Sequence, residues 1–375
     1  MSYALQTLWH ERSRYASGVL AVTFSAVLIA LQCGLLLGMF KITSIPIDNT
    51  TADLWIGSQQ VPAVDLGKPI PTSYLSRVAG LPGVTKVELY IANFGNFTKP
   101  AGGTELCFLL GSDTDYGSAG AATMLTREQL DLLTLPDSII VDESDVERLH
   151  LDGTGGKPKI NGKEVKVVGT VRGLKSIAAP WVFCSLHTAR HLLGALLPAD
   201  HVTYLLVRCE SPLRAKQVAA DLREQYSSDM GAYTAQEFSY NSRYYWLVRT
   251  KAGIAIGYAA LLGLLVGSVI TAQTLYSATT ASAREFAILL ALGIPRWRIS
   301  LMVLAQSMWV GVIGVILAYP TCVALRYGAR RVGAEVDLRW EVLLGTAVVT
   351  LGMALVAGVA ALRSVRQIEP MSLLR

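Results

Sequence analysis

His187 and His191 stand four residues apart, a spacing that would set two imidazoles on one helix face within reach of one metal ion. A hydrolytic site of that kind also needs a glutamate between them as general base. Thr188, Ala189 and Arg190 supply none, so a solvated helix face accounts for the pair. The run Gly153-Thr154-Gly155-Gly156-Lys157 has the glycine content of a phosphate-cradling loop but not the P-loop spacing. Pro158 stands where a Ser or Thr would reach Mg²⁺, and a turn-rich hairpin over 153–162 fits better. No serine occupies a GxSxG elbow. Cys33, Cys107, Cys184, Cys209 and Cys322 form no CxxC and no zinc-type pair. Cys33 and Cys322 lie in apolar runs as packing residues, and the other three are an odd set that supports no disulfide framework. The expectation is a chain with no catalytic residue, no metal and no cofactor.

The elements around these residues explain why. Of 375 residues, 52% are hydrophobic and 16% charged, too apolar for an ordinary soluble enzyme and not apolar enough for a chain wholly in a membrane. The net charge of +5 is too small to point to nucleic acid, and basic residues at membrane ends account for it. Four apolar runs, 18–40, 252–276, 300–325 and 342–362, contain no Asp, Glu, Lys or Arg. A helix crosses a hydrocarbon core with about 20 apolar residues, so each run predicts a spanning helix. Lys41 and Ile42 follow the first run where a signal peptide would have its small-residue cleavage site, so that run is expected to be retained.

Residues 41–251 predict an extracytoplasmic α+β domain of two lobes between the first and second spanning helices. Thr51–Gly57, Val84–Phe94, Thr104–Gly111 and His201–Cys209 read as strands, with Ser138–Val141 and Val165–Arg172 rich in β-formers. Thr72, Thr126 and Ser185 are placed to cap short helices, and Ser211-Pro212 opens one running to about Tyr226. Phe238, Tyr240, Tyr244, Tyr245 and Trp246 read as an aromatic belt at a membrane interface, or as rings packing on a neighbour. GxxxG pairs occur at Gly34/Gly38, Gly253/Gly257 and Gly263/Gly267. Gly263 and Gly267 are the candidates for close helix packing or a homodimer.

Arginines set the orientation. With residues 1–17 inside as a short amphipathic segment, Arg12, Arg14, Arg284, Arg296, Arg298, Arg363, Arg366 and Arg375 fall inside. Arg326, Arg330, Arg331 and Arg339, in the loop 326–341, fall outside. The inside segments are then 1–17, 277–299 and the tail 363–375.

The inside segment 277–299 holds the stretch that every other part is read against, Ser282–Ile299 (SAREFAILLALGIPRWRI). Ala281–Leu292 predicts a helix with Phe286, Leu289 and Leu290 on one face and Arg284 and Glu285 in its first turn. Gly293 predicts a left-handed C-cap, and Pro295 the first turn of the next helix. Such an element presses a soluble partner against membrane helices. Arg284, Glu285, Phe286, Ile288, Leu289, Gly293 and Arg296 are its candidate contact residues.

The same stretch, "AREFAILLALGIPRWRI", resembles the "RE-x-AIL-x-ALG" segment of the FtsX/MacB-type ABC transporter permeases, and "ALRSVRQIEPMSLLR" resembles their C-terminal ending. Trp246, Thr250, Gly257, Gly263, Gly267, Gln273, Leu275, Tyr276 and Glu285–Gly293 are most similar to the DevC-type group, from which Arg284-Glu285-Phe286 departs. The resemblance implies a non-catalytic permease subunit in an inner membrane with both termini cytoplasmic. It implies docking of 277–299 on two copies of a separate ATPase, a homodimer, and efflux with a periplasmic adaptor and an outer-membrane duct. Lipids are the remaining partner. A regulator that signals to an extracytoplasmic enzyme, as FtsX does, is the alternative it also allows.

The arginine count makes a direct prediction. In intact cells a membrane-impermeant thiol reagent should label Gly155→Cys and Arg331→Cys, whereas Arg296→Cys should react only in opened cells. Labelling of Arg296→Cys in intact cells would reverse the orientation.

Overall fold

The computed structural model describes residues 12–151, 157–174, 179–226, 228–281, 288, 292–331 and 338–366. The chain divides into two compact units, Met1–Gly38 with Lys251–Arg375, and Met39–Thr250.

Helix α1 (Arg12–Thr43) carries the first candidate span, Tyr15–Gly38, and one residue, Ser44, separates it from the short α2 (Ile45–Asp48). The α+β unit then runs β1 (Leu54–Gly57), β2 (Ile70–Pro71), α3 (Tyr74–Ala79), β3 (Val84–Thr98), β4 (Thr104–Ser112), α4 (Arg127–Leu133), β5 (Ser138–Asp142) and α5 (Glu143–Arg148). It continues through β6 (Lys159–Ile160), β7 (Lys163–Glu164), β8 (Lys166–Val171), β9 (Trp181–Ser185), α6 (Leu186–Leu193), β10 (His201–Val202), β11 (Tyr204–Cys209), α7 (Pro212–Gln225), β12 (Gly231–Thr234) and α8 (Ala235–Tyr244). Helices α9 (Lys251–Ala281), α10 (Arg296–Arg331) and α11 (Trp340–Arg366) complete the chain and carry the other three candidate spans. Four apolar helices with a large α+β domain between the first two is therefore the architecture.

One sheet organises the α+β unit, in the order β12-β1-β11-β3-β4-β9-β5-β8, with the β6–β7 hairpin on the end of β3. Among the described residues only β4–β9 and β5–β8 are parallel, and every other pair is antiparallel. The expected two lobes share this sheet, because β3 is fifteen residues long and pairs with β11 along its first half and with β4 along its second.

Side chains alternate strictly between the two faces, as strand geometry requires. Leu54, Ile56, Ile91, Leu109, Ile139, Val141, Val182 and Leu205 enter one buried cluster, covered by Val78 of α3, Ala189 and Leu192 of α6, and Val218 and Leu222 of α7. Trp55, Tyr90, Phe108, Ile140, Phe183, Tyr204 and Leu206 enter the other, covered by Ile45 and Ile47 of α2, Val64, Leu133 of α4 and Phe238 of α8. Both faces are buried, so the strands read as continuous apolar runs rather than as alternation. Trp55 sits edge-on to Tyr90 and Tyr204, both at 5.3 Å. Such pairs add about 0.5–1.5 kcal/mol beyond the burial itself.

Thr126 caps α4 in a full capping box with Gln129, Ser185 caps α6, and Ser211 with Pro212 opens α7. Thr72 does not cap α3. Its N–H and its hydroxyl both donate to the Asp200 carbonyl, at 2.8 and 3.0 Å, and Ser73 holds the N-cap place. The single strand expected over His201–Cys209 breaks at Thr203, whose hydroxyl accepts from the Ala92 N–H at 3.1 Å. His201 and Val202 pair instead with β2 in a separate two-stranded sheet. The turn of the hairpin is Asn161-Gly162, both left-handed, the tight connection that suits the twist of two antiparallel strands.

The membrane helices outrun their uncharged runs. Residues 277–281 of the expected inside segment belong to α9 and 296–299 to α10, while 326–331 of the expected outer loop still belong to α10. Arginines at helix ends keep their charge in the polar zone on long apolar stems, so the first charge does not mark the helix end.

Glu88 is one of the buried carboxylates of the α+β unit, 5% exposed. Oε1 meets the Lys86 ammonium at 2.6 Å. Oε2 accepts from Ser118 Oγ at 2.5 Å and from the Ala119 N–H at 2.8 Å, which fixes the loop after β4. Burial pushes this carboxyl up, but the Lys86, Ser118 and Ala119 hydrogen bonds outweigh it and hold the group below the usual glutamate range. A lowered folded pKa stabilises above the unfolded value and is lost as pH falls through the folded one. Glu88→Ala should cost about 1–3 kcal/mol in urea unfolding at pH 7, from the donors it strands. Glu88→Gln should lose part of the acid sensitivity of wild type below the ordinary glutamate range. Equal stability of Glu88→Ala and wild type would remove this group from the account.

Candidate functional site

The residues with catalytic spacing do not assemble. His191 Nδ1 lies 2.6 Å from Asp137 Oδ1, which occupies one ring nitrogen, and His187 is exposed. Lys157 pairs with Glu164 at 3.0 Å; Gly153–Gly156 lie outside the described residues. Among the described residues no three His, Cys, Asp or Glu side chains gather where they could share a metal ion. Cys107, Cys184 and Cys209 are free thiols. Burial pushes Cys107 up to about 12 and Cys209 up to about 11, and Cys184 also up, so none is an activated nucleophile.

Of the coupling residues, Arg284, Glu285, Phe286 and Leu289 lie outside the described residues, as does the side chain of Arg296. The Leu292 N–H donates to the Ile288 carbonyl at 3.0 Å, and Gly293 is left-handed at φ 87°, the helix stop its sequence predicts. Pro295 precedes α10, whose first turn closes through Arg298 N–H to the Pro295 carbonyl at 2.9 Å. Ile288, Leu292 and Trp297 are 46%, 74% and 60% exposed within this chain, and the Arg298 guanidinium lies over the Trp297 ring, 5.4 Å from its centroid.

Gly263 and Gly267 face α1 of the same chain. A Cβ on Gly263 would fall on Leu28 Cδ2, and one on Gly267 would fall on Ser25 Oγ and 2.5 Å from Ser25 Cβ. Ser25 spends its hydroxyl on the Ala21 carbonyl at 2.8 Å, so its outer surface is smooth for close approach. Gly311 and Gly358 do the same between α10 and α11, against Leu351 and Ala354, and against Ser307.

The most organised polar group in the α+β unit joins its two ends, and sequence reading missed it. Asp48 Oδ1 accepts from Ser239 Oγ at 2.7 Å. Its Oδ2 accepts from Ser44 Oγ at 2.6 Å and from Arg243 Nη2 at 2.5 Å. Arg243 Nε donates to Ser44 Oγ at 2.8 Å. Below this knot the Val64 N–H donates to Ser242 Oγ at 3.2 Å and Trp246 Nε1 donates to Asp65 Oδ1 at 3.1 Å. Burial pushes the Asp65 carboxyl up and the Trp246 hydrogen bond only partly offsets it. After α8 the backbone widens into a π-turn, Tyr245–Arg249, and Thr250 is extended at φ −96° and ψ 148° before α9 begins.

The expected aromatic belt divides accordingly. Phe238 is fully buried, 5.7 Å from Trp55 and stacked on Tyr233. The capping box of Thr234 and Glu237 starts α8 so that its fourth residue points into the core. Trp246 is the hydrogen-bonded anchor just described. Tyr240 and Tyr244 are exposed and stacked on each other, centroids 6.2 Å apart.

Residues 19–225 match the sequence family described as MacB-like periplasmic core domain, and residues 257–370 match FtsX-like permease C-terminal. No curated protein matches the chain. Among solved structures it is similar to the periplasmic region of MacB from Actinobacillus actinomycetemcomitans, at 13% identity, with 51% of this chain and 92% of that one covered and a TM-score of 0.35. The extracellular domain of the noncanonic ABC-type transporter YknZ from Gram-positive bacteria is similar at 14% identity, with 48% and 100% covered and a TM-score of 0.33.

Gly267 makes a prediction that separates packing within one chain from packing between two. Gly267→Val should lower the detergent-solubilised melting temperature, at a cost of about 1–3 kcal/mol for overpacking. Gly263→Ala should cost less, because the Leu28 side-chain end it meets can turn away. An unchanged melting temperature with loss of an oligomer would assign the face to a second copy.

Proposed function

This chain belongs to the MacB/FtsX permease family, and from that premise we propose that it is the membrane subunit of an ATP-driven exporter that works by transmitting movement. The family is that of ABC-type permeases, which associate with an ABC ATPase and are not themselves catalytic. The observation that carries the finer reading is the joining of both matched regions in one chain, around apolar runs that hold no Asp, Glu, Lys, Arg or His. A transporter driven by ions or protons needs ionisable groups within its spans. This one must receive its energy from outside.

In this reading the α+β domain lies outside the inner membrane, both termini lie in the cytoplasm, and the chain acts as a homodimer on two ATPase copies. Closure of the ATPases moves 277–299, the spanning helices follow, and the α+β domains change position to drive efflux with a periplasmic adaptor and an outer-membrane duct. Arg284 and Glu285 set the register on the ATPase, while Phe286, Ile288 and Leu289 fill its groove. Gly293 ends that helix, and Arg296 begins the next beside it. The chain itself needs no cofactor.

The experiment is co-purification from mild detergent with wild-type and variant chains. The chain alone should show no ATP hydrolysis above background, and a P-loop ATPase should co-purify with it. Glu285→Lys or Leu289→Asp should abolish ATPase recovery while the chain still inserts, since burying an unpaired charge in the groove costs about 2–5 kcal/mol. A helix lying only on lipid would tolerate Glu285→Lys beside anionic headgroups. Equal ATPase recovery by wild type and both variants would overturn the coupling assignment. Hydrolysis by the chain alone would overturn the permease reading.

A further inference from the structure

We propose that the cleft between α2 and α8 is a binding site for a phosphate ester, with the phosphate on Arg243 and the body of the ester lying along α8. The site lies wholly within the α+β domain and does not depend on how the chain meets an ATPase.

The cleft has a volume of about 460 Å³ and is lined by Ile47 and Asp48 of α2 and by Ala235, Gln236, Tyr240 and Arg243 of α8. Gln236, Tyr240 and Arg243 stand at i, i+4 and i+7, so they share one helix face. That stretch of helix rises about 10 Å.

The hydrogen bonds on this wall are unevenly spent. Asp48 accepts on both oxygens, from Ser239 on one and from Ser44 and Arg243 on the other. The Ser239 hydroxyl is thereby used, and Thr50, also on the wall, donates to the Ile47 carbonyl at 2.9 Å. Arg243 has used Nε on Ser44 and one hydrogen of Nη2 on Asp48. Five guanidinium N–H donors less these two leave three, and two of them are on Nη1. Among the described residues the Gln236 amide and the Tyr240 hydroxyl have no hydrogen-bond partner in the chain. Free donors therefore exceed free acceptors.

An oxyanion answers that excess. The planar fork of an arginine takes two oxygens of a phosphate at once. A phosphate has further oxygens, one of which can accept from the Tyr240 hydroxyl one turn back. Asp48 balances the charge of Arg243, so the anion is held by directed hydrogen bonds rather than by net charge. A bare phosphate would reach one end only, because Gln236 is two turns from Arg243. The volume is that of a small-molecule site rather than of an ion site. Ile47, Ala235 and the Tyr240 ring give it an apolar wall. An ester fills this length, with its body over Tyr240 and a polar far end on the Gln236 amide. A soluble phosphomonoester and a phospholipid headgroup share this chemistry.

The test is calorimetric titration of the full chain in a non-ionic detergent with inorganic phosphate, glycerophosphate and dihexanoyl phosphatidylglycerol. At least one ester should bind saturably and more tightly than inorganic phosphate. Arg243→Lys, which keeps the charge beside Asp48 and loses the fork, should weaken the ester about tenfold or more. Gln236→Ala and Tyr240→Phe, at exposed positions outside the Asp48 knot, should each weaken it about two- to tenfold and leave the melting temperature unchanged. If Arg243→Lys does not fold, these two decide alone. Tighter binding of glycerophosphate assigns a soluble ester, and tighter binding of the lipid assigns a headgroup. Inorganic phosphate as tight as the esters (an adventitious ion only), no saturable binding of any probe, or ester binding indifferent to Gln236→Ala and Tyr240→Phe overturns the site. Because neither ATPase nor nucleotide is present, failure here is separate from failure of the permease reading.

Discussion

Asp48 holds both ends of the α+β domain. Its ion pair with Arg243 is partly exposed, with side chains 33% and 42% accessible, and an exposed pair alone contributes about 0–1 kcal/mol. The geometry matters more than the Coulomb attraction. Ser44 donates to Asp48 and accepts from Arg243, and Ser239 takes the remaining oxygen, so no member can leave without stranding another. Ser44 follows α1 directly, and Arg243 sits on α8, eight residues before α9. Chain entering the domain and chain leaving it are therefore one rigid piece at this level.

Rigidity continues into the sheet. Both faces are buried, the aromatic cluster around Trp55 lies directly above α2 and α8, and β3 runs through both halves. Close-packed interiors transmit displacement rather than absorb it. The membrane unit is packed through small residues. Its helices approach through Gly263, Gly267, Gly311, Gly314 and Gly358, where the absence of a side chain lets backbones come close. Hydrocarbon offers no hydrophobic drive between helices, so such packing is what holds them together.

Much of this was legible in the sequence, and the failures have physical causes. Apolar runs gave the helices because length and composition decide membrane spanning. Thr126, Ser185 and Ser211 were found because a cap bonds its own helix. Thr72 was misread because its better partner, the Asp200 carbonyl, is 128 residues away. Distance in sequence also hid the Asp48 knot, whose partners Ser239 and Arg243 lie 191 and 195 residues on. Phe238 looked like its aromatic neighbours by composition, and only the phase of α8 sends it inward. The glycine pair at 263 and 267 was visible, but no pattern in one sequence says which helix the pair will meet.

The two connections of the α+β domain differ in how deeply they are embedded. Embedding requires side chains that pack inward on a fixed backbone, and the first connection supplies three isoleucines and the Asp48 knot. The second connection, Tyr245–Thr250, has a π-turn, an extended residue and side chains that are only partly covered or exposed. The Trp246 indole on Asp65 is one tie between this connection and the domain.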